Sequence, residues 1–362
     1  MTFPTPVGGA SLPADFAPSI LFAVLYGCLV PVLLWRTFHR RSRNLLTLGS
    51  ITFSIERIVV FALRASQANS DSQRQSSGLL TYLQLSFGMG YLSIAQDVVK
   101  LVRCLIVNAS FGTKTAFQSP AVQGARGAAS KSDAERASKP AWSLLASSPA
   151  SYEEIIEKNP IAEVARAGAP FVEDHPRHRA GARRFGDLGG LVFFAAIIPG
   201  VIANSGFGKL LSDESKADQV MSLRYVSTAV AFALILVTMG VVVWANMRMA
   251  RISQPATKII QIISLCMCIV SVYRLSVMFN RTDSLTSTAP GALNSPSAKA
   301  LFYIFHIFPE WLSIALMFGC NIREICGTGP FGDWRSHDET EKEKEKREKK
   351  EARKKEALVN AA

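Results

Sequence analysis

Eight polar or ionisable side chains stand inside runs of apolar residues. Glu56 and Arg57 lie between Asn44 and Leu63, and Gln84 lies in the run that opens at Leu79. Tyr273 and Arg274 lie between Lys258 and Phe279; Tyr303, His306 and Glu310 lie between Ala300 and Cys320. A charge in hydrocarbon is costly unless it is paired or hydrated, so these are the positions at which the sequence points to chemistry. Tyr303, His306, Glu310 and Ser313 follow one another at helical spacing and make a single polar stripe. Gly49, Thr52 and Glu56 make a second stripe, and Gln261, Ser264, Cys268 and Ser271 a third. The arrangement predicts a partly hydrated, outward-facing polar cavity. In it Glu56 or Glu310 pairs with Arg274, and His306 changes charge near neutral pH. The structural alternative is polar glue between helices, with Arg57 and Arg274 snorkelling to the outer headgroups.

The elements that must position these residues are read as membrane spans. A helix needs about 20 apolar residues to cross the hydrocarbon with every backbone polar group satisfied internally. Seven stretches qualify: Ala17 to Trp35, Asn44 to Leu63, Leu79 to about Val107, Leu188 to Ala203, Leu223 to Ala245, Lys258 to Phe279, and Ala300 to Cys320. The fourth is short and interrupted by Pro199-Gly200. The fold class expected is therefore an all-helical seven-span membrane bundle. Its parts are an outer N-terminal segment 1–16, spans one to three over 17–107, a cytosolic loop 108–187, spans four to seven over 188–320 and a charged cytosolic tail 321–362.

Charge sets the orientation. The chain carries 40 Lys+Arg against 28 Asp+Glu. With the N-terminus outside, fifteen Lys/Arg flank the inner ends of the spans and six the outer ends, the asymmetry that holds basic loops in the cytosol. The first 16 residues contain no Lys or Arg and so lack the basic region of a cleavable signal peptide. The first span is read as an uncleaved anchor, in the plasma membrane or an internal endomembrane.

Residues 108–187 are rich in Ala, Ser, Gly, Arg and Pro, a composition expected to be mostly disordered. Within it, Ser151 and Glu154 fit a capping box that opens a short amphipathic stretch. Residues 341–356 alternate Glu with Lys and Arg and read as a solvated tail. No cysteine falls in an outer loop, so no disulfide is expected; Cys320 and Cys326, just inside the membrane, are lipidation candidates. Asn280-Arg281-Thr282 is an outer glycosylation sequon.

The stretch Ser271-Val272-Tyr273-Arg274, followed after a loop by Phe302-Tyr303-Ile304-Phe305-His306-Ile307-Phe308-Pro309, resembles the sixth and seventh spans of the fungal seven-span Rta-like family, the lipid-translocating exporters. The matched positions are Tyr273, Arg274, Tyr303 and Pro309, within roughly 50 of the 362 residues. Where the family carries acids, this chain has Val277, Lys299 and His306; Glu56 and Arg64 are similar to an acidic-to-Arg pattern near the family's second span, displaced by one residue. The resemblance implies a role in transport of, or response to, lipids or amphipathic compounds.

The alternative reading is a seven-span receptor that couples to a cytosolic protein through residues 108–187. Against it, the inner end of the third span reads Asp97-Val98-Val99-Lys100, not Asp-Arg-Tyr, and the seventh has no Asn-Pro-x-x-Tyr run. An accessory scaffold that recruits partners is a third reading. The expected partners are membrane lipids and an amphipathic small molecule, with no nucleic acid, cofactor or metal. An enzyme is not expected, because no nucleophile and base, paired aspartates or phosphate loop stands in the spans.

Overall fold

A computed structural model describes residues 2–39, 42–112, 173–211, 214–289, 291–329, 331–333 and 338, and a few positions of the charged tail between 345 and 353. Seven long helices run through them: α1 (Phe16–Phe38), α2 (Leu48–Asn69), α3 (Ser77–Ala109), α4 (Pro176–Ser205), α5 (Ala217–Arg248), α6 (Gln254–Val277) and α7 (Pro296–Gly319). Several start signals are legible locally. Ser76, Ser253 and Ser295 each cap a helix by accepting the backbone N–H three residues on, from Leu79, Ala256 and Ala298. Pro296 and Pro176 occupy first-turn positions, where the missing N–H costs nothing.

Among the described residues, five helices are long and apolar enough to cross a membrane: α1 with its lead-in from Pro13, and α4 to α7. Their outward faces carry Leu21, Val24, Leu191, Phe194, Ile198 and Val237, all strongly exposed. Apolar surface on that scale belongs against lipid rather than water, and the fold is that of a helical, multi-pass membrane protein. α2 and α3 carry more charge, and the fold turns it inward. Arg57, Arg64 and Asp97 are buried, and α3 packs against α2, α4, α5, α6 and α7 as the central helix of the bundle.

The fourth stretch differs from its expected form. α4 is neither short nor interrupted: it runs 30 residues from Pro176 to Ser205, with Pro199 inside it. A proline in a helix removes one backbone donor, a loss that packing on both sides outweighs, and α4 packs on α3 and α5. Its first turns, Pro176 to Asp187, were expected in the loop. They are helical because Arg179 and Arg183, one turn apart, are held by carboxylates from two other segments. Residues 113–172, with the Ser151 capping box, lie outside the described residues, as does most of the Lys/Glu run.

α7 is an α-helix from Pro296 to Phe302, a π-helical turn over Tyr303–Ile307 and an α-helix again from Phe308 to Gly319. Pro309 explains the widening. Its ring crowds the carbonyl of Phe305, and the preceding turn opens so that Phe308 N–H bonds to Tyr303 O instead.

The N-terminal segment is folded back over one end of the bundle. Phe3–Pro4 forms a two-residue strand, β1, antiparallel to β2 (Arg281–Thr282). Residues 3 to 11 are buried throughout. Gly8 and Gly9 turn the segment at φ 80° and 63°, backbone that other residues resist, and a Cβ on Gly8 would fall 2.8 Å from the Phe302 ring.

Candidate functional site

Two buried ion pairs lie one above the other between α2 and α7. In the lower, Arg57 Nη2 donates to Glu310 Oε2 at 2.8 Å and Arg57 Nη1 donates to Ser86 Oγ at 2.8 Å. The guanidinium stacks 4.3 Å from the Phe53 ring, and both charged partners are fully buried. His306 completes the group: its Nε2 lies 3.4 Å from Glu310 Oε1, and its ring packs edge-on to Phe87, Phe302 and Tyr273. In the upper, Asp15 accepts from Arg64 Nη2 at 2.8 Å, pairs with Lys299 Nζ at 2.8 Å and accepts from Tyr303 OH at 3.0 Å. Ser19 Oγ shares the Tyr303 hydroxyl at 3.0 Å.

The N-terminal segment is tied to the same helices. Arg64 Nη2 donates to Gly8 O at 2.7 Å, and Lys299 Nζ donates to Gly8 O at 2.8 Å and to Ala10 O. Gln84 holds both backbone polar groups of Val7, accepting from Val7 N at 2.9 Å and donating to Val7 O at 3.2 Å. The outer layer expected to be an open cavity is thus covered by residues 3 to 11. The reason is that Asp15 and the segment's carbonyls supply counter-charge and acceptors to cations that would otherwise stand bare in an apolar interior.

The expected pairing is corrected at one point. Glu310 pairs with Arg57 rather than with Arg274, because Arg57 on the facing helix projects inward across Gly90, where a Cβ would stand 2.5 Å from its Nη2. Arg57 is fully buried and does not snorkel. Arg274 is buried as well, donating to Phe87 O at 2.8 Å with its guanidinium 5.3 Å from the Tyr91 ring. Glu56 stands apart from these groups, half-buried on the outer side of α2.

Glu56 lines a groove instead. Gly49, Thr52 and Glu56 of α2, Tyr82, Ser86, Gly90 and Ser93 of α3 and Val201 of α4 enclose about 560 Å³ that opens sideways between the helices. Ser86, which receives Arg57, forms part of its wall. No family model, curated protein or solved structure matches this chain. A second lateral groove of about 640 Å³, almost wholly apolar, lies between α5, α6 and α7 and includes Tyr273, Val272 and Phe305.

The remaining sequence candidates are dispersed. Asn280, half-buried beside β2, donates its side-chain amide to Val277 O at 3.0 Å and accepts from Thr5 N through its backbone carbonyl at 3.0 Å. Cys320 is half-exposed; Cys326, in the short helix Ile322–Cys326, is buried, and desolvation with Cys320 nearby pushes its thiol up to about 12. A thiol so placed is neither accessible nor ionised at neutral pH.

Four site residues escaped the sequence reading. Asp15 was assigned to the outer segment, Arg64 and Lys299 to outer loops, and Arg224 to an apolar span. For Arg64 a signal was present, since Arg57 and Arg64 stand seven residues apart, two helical turns, on a run whose only other charge is Glu56. For Asp15 and Lys299, nothing local indicates that the segment preceding α1 folds back.

At the opposite end of the bundle, Arg103, Arg179 and Arg183 gather four carboxylates. Arg103 holds Asp187 at 2.8 Å and Asp333 at 2.7 Å, Arg179 holds Asp174 at 2.7 Å and Asp338 at 2.8 Å, and Arg183 holds Asp333 at 2.7 Å and Asp338 at 3.0 Å. The start of the charged tail is thereby fastened to α3 and α4.

Proposed function

We propose that this chain is a seven-span membrane protein, N-terminus outside, that takes a lipid or amphipathic compound from the bilayer and presents its polar end to the Arg57–Glu310 pair. The observation that carries the reading is the shared wall: Ser86 faces the lateral groove and also accepts from Arg57 Nη1 at 2.8 Å. A molecule seated in the groove between α2, α3 and α4 lies one hydrogen bond from a buried ion pair. Its chains remain in lipid while its head exchanges bulk hydration for fixed charges. With residues 3 to 11 folded over the outer end, access is lateral rather than axial. The resemblance of α6 and α7 to the lipid-translocating exporters supports the same substrate class. The fifteen-to-six distribution of basic residues supports the orientation.

The test is accumulation of a fluorescent phospholipid analogue in cells that carry the wild-type chain, Ser93→Trp or no protein, with Glu310→Gln as a second variant. Ser93→Trp fills the groove without touching the ion pair, and its cells are expected to match those without protein at equal surface level. Wild-type accumulation in Ser93→Trp cells would refute lateral uptake. Protease shaving of sealed vesicles checks the orientation, since the tail must stay protected when the outer face is exposed.

A further inference from the structure

The bundle interior holds two more buried cations, and neither has a carboxylate. Arg224 of α5 is 1% exposed and Arg274 of α6 is 2% exposed. Arg224 Nη1 makes a long contact of 3.4 Å to Thr5 O, and its Nε and Nη2 have no partner among the described residues. Arg274 Nη1 donates to Phe87 O at 2.8 Å, the Tyr91 hydroxyl lies beside its guanidinium, and its Nε is unpartnered among the described residues. Aromatic faces soften the field slightly: Arg224 lies 5.3 Å from the Phe207 ring and Arg274 5.3 Å from that of Tyr91. The two guanidinia are close enough to repel one another. Thus Arg57, Arg64 and Lys299 form direct ion pairs with Glu310 and Asp15, whereas Arg224 and Arg274 form none and contact neutral carbonyls and rings.

The free donors have a particular geometry. Nε–H and Nη2–H form one edge of the guanidinium, the fork that takes two oxygens of a carboxylate or phosphate at once. A buried arginine with that edge unpaired is costly, and a neighbouring second arginine raises the cost.

We infer that Arg224 and Arg274 form a binding site for an oxyanion, a phosphate or carboxylate group, held between α5 and α6 beneath residues 3 to 5 of the N-terminal segment. The ligand's two oxygens take the Nε and Nη2 edge of Arg224, and Arg274 Nε contributes from the facing helix. The long contact from Nη1 to Thr5 O lies outside that edge and stays in place. With the bundle membrane-embedded as proposed above, the group arrives either on a lipid headgroup or as a free ion. An amphiphile handled by this chain would accordingly be anionic.

The experiment uses the full chain in phosphatidylcholine nanodiscs and follows the thermal unfolding midpoint. Inorganic phosphate is titrated against chloride at equal ionic strength, and phosphatidic acid is introduced into the bilayer in a parallel series. A rise with phosphatidic acid alone assigns the site to a headgroup; a rise with inorganic phosphate assigns it to a free ion. Arg224→Met is expected to abolish either rise and, without any anion, to unfold at or above the wild-type midpoint, because an uncompensated buried charge has gone. Arg224→Lys keeps the charge but loses the fork, and is expected to bind about tenfold or more weakly. No rise in the wild type with either ligand, or a rise that persists in both Arg224→Met and Arg274→Met, overturns the site. The uptake assay reads passage through the groove and the nanodisc titration reads charge compensation at α5 and α6, so either idea can fail alone.

Discussion

Two halves of one interior treat buried arginine in opposite ways. Between α2 and α7, Arg57 and Arg64 meet carboxylates at 2.8 Å, and Lys299 shares the second of them. Between α5 and α6, Arg224 and Arg274 contact carbonyl oxygens and ring faces, and Glu310 acts on Arg274 without forming an ion pair with it. Burial is equally complete in both halves, so desolvation alone does not distinguish them. Counter-charge does. Where the chain supplies its own anion, the cation serves to fasten helices and the N-terminal segment; where it does not, the missing anion comes from outside. The cost of an unpaired buried charge gives that distinction its force, because a chain with no ligand for Arg224 would be more stable with an apolar residue there.

The sharpest way to break the contrast is Asp15→Asn. Asp15 is the only carboxylate facing Arg64 and Lys299 among the described residues, and its loss leaves two cations with carbonyl acceptors but no counter-charge. The expected destabilisation is about 3–5 kcal/mol, read by denaturant titration in detergent. Arg224→Met, in the other half, is expected to cost nothing in the absence of anion. Equal losses in the two variants would show that both halves are structural.

The sequence made much of this legible and hid a definite part. Helix positions, the polar stripe of Tyr303, His306, Glu310 and Ser313, and the face shared by Gly49, Thr52 and Glu56 follow from period alone, and the structure buries the first stripe and lines the groove with the second. The partner of each charge was not legible. Whether Glu310 meets Arg57 or Arg274 depends on helix rotation and on the absent side chain of Gly90, which no pattern along one helix encodes. The N-terminal segment was hidden for a different reason. Its contacts to Gln84, Asn280, Asn294 and Lys299 span 77 to 291 positions of chain, and its own residues, Thr-Pro-Val-Gly-Gly, read as an ordinary loop.

A milder variant asks which half holds that segment. Gln84→Leu strips the partners from both backbone polar groups of Val7, leaving a buried donor and acceptor unsatisfied at a cost of about 1–3 kcal/mol. Because Gln84, Arg64 and Lys299 all stand on the paired side, the expected outcome is faster protease nicking between residues 3 and 11 with the helices intact. Arg224→Met, which removes only the long contact to Thr5 O, should leave nicking unchanged. Comparable nicking in both variants would mean that the segment is anchored across the whole end.

The smallest effect is expected where charges are paired but partly solvated. At the end of the bundle opposite the N-terminal segment, the Arg179 hydrogen bond, aided by Gly112 N–H, holds Asp174 below the usual carboxylate range. Burial would raise Asp333 and Asp338, but Arg183 with Arg103 in the first case and Arg179 with Arg183 in the second hold both below that range. Carboxylates whose folded-state pKa is depressed contribute stability that is complete above the unfolded value of about 4 and is lost as pH falls through the lower folded values. The thermal midpoint should therefore fall on acidification below about pH 4, with the tail releasing from α3 and α4 first. Asp338→Asn should cost about 1 kcal/mol at neutral pH and make the acid limb shallower, as expected of a partly screened pair. An unchanged acid limb in Asp338→Asn would show that this network is incidental surface pairing, and the contrast would then reduce to the buried interior alone.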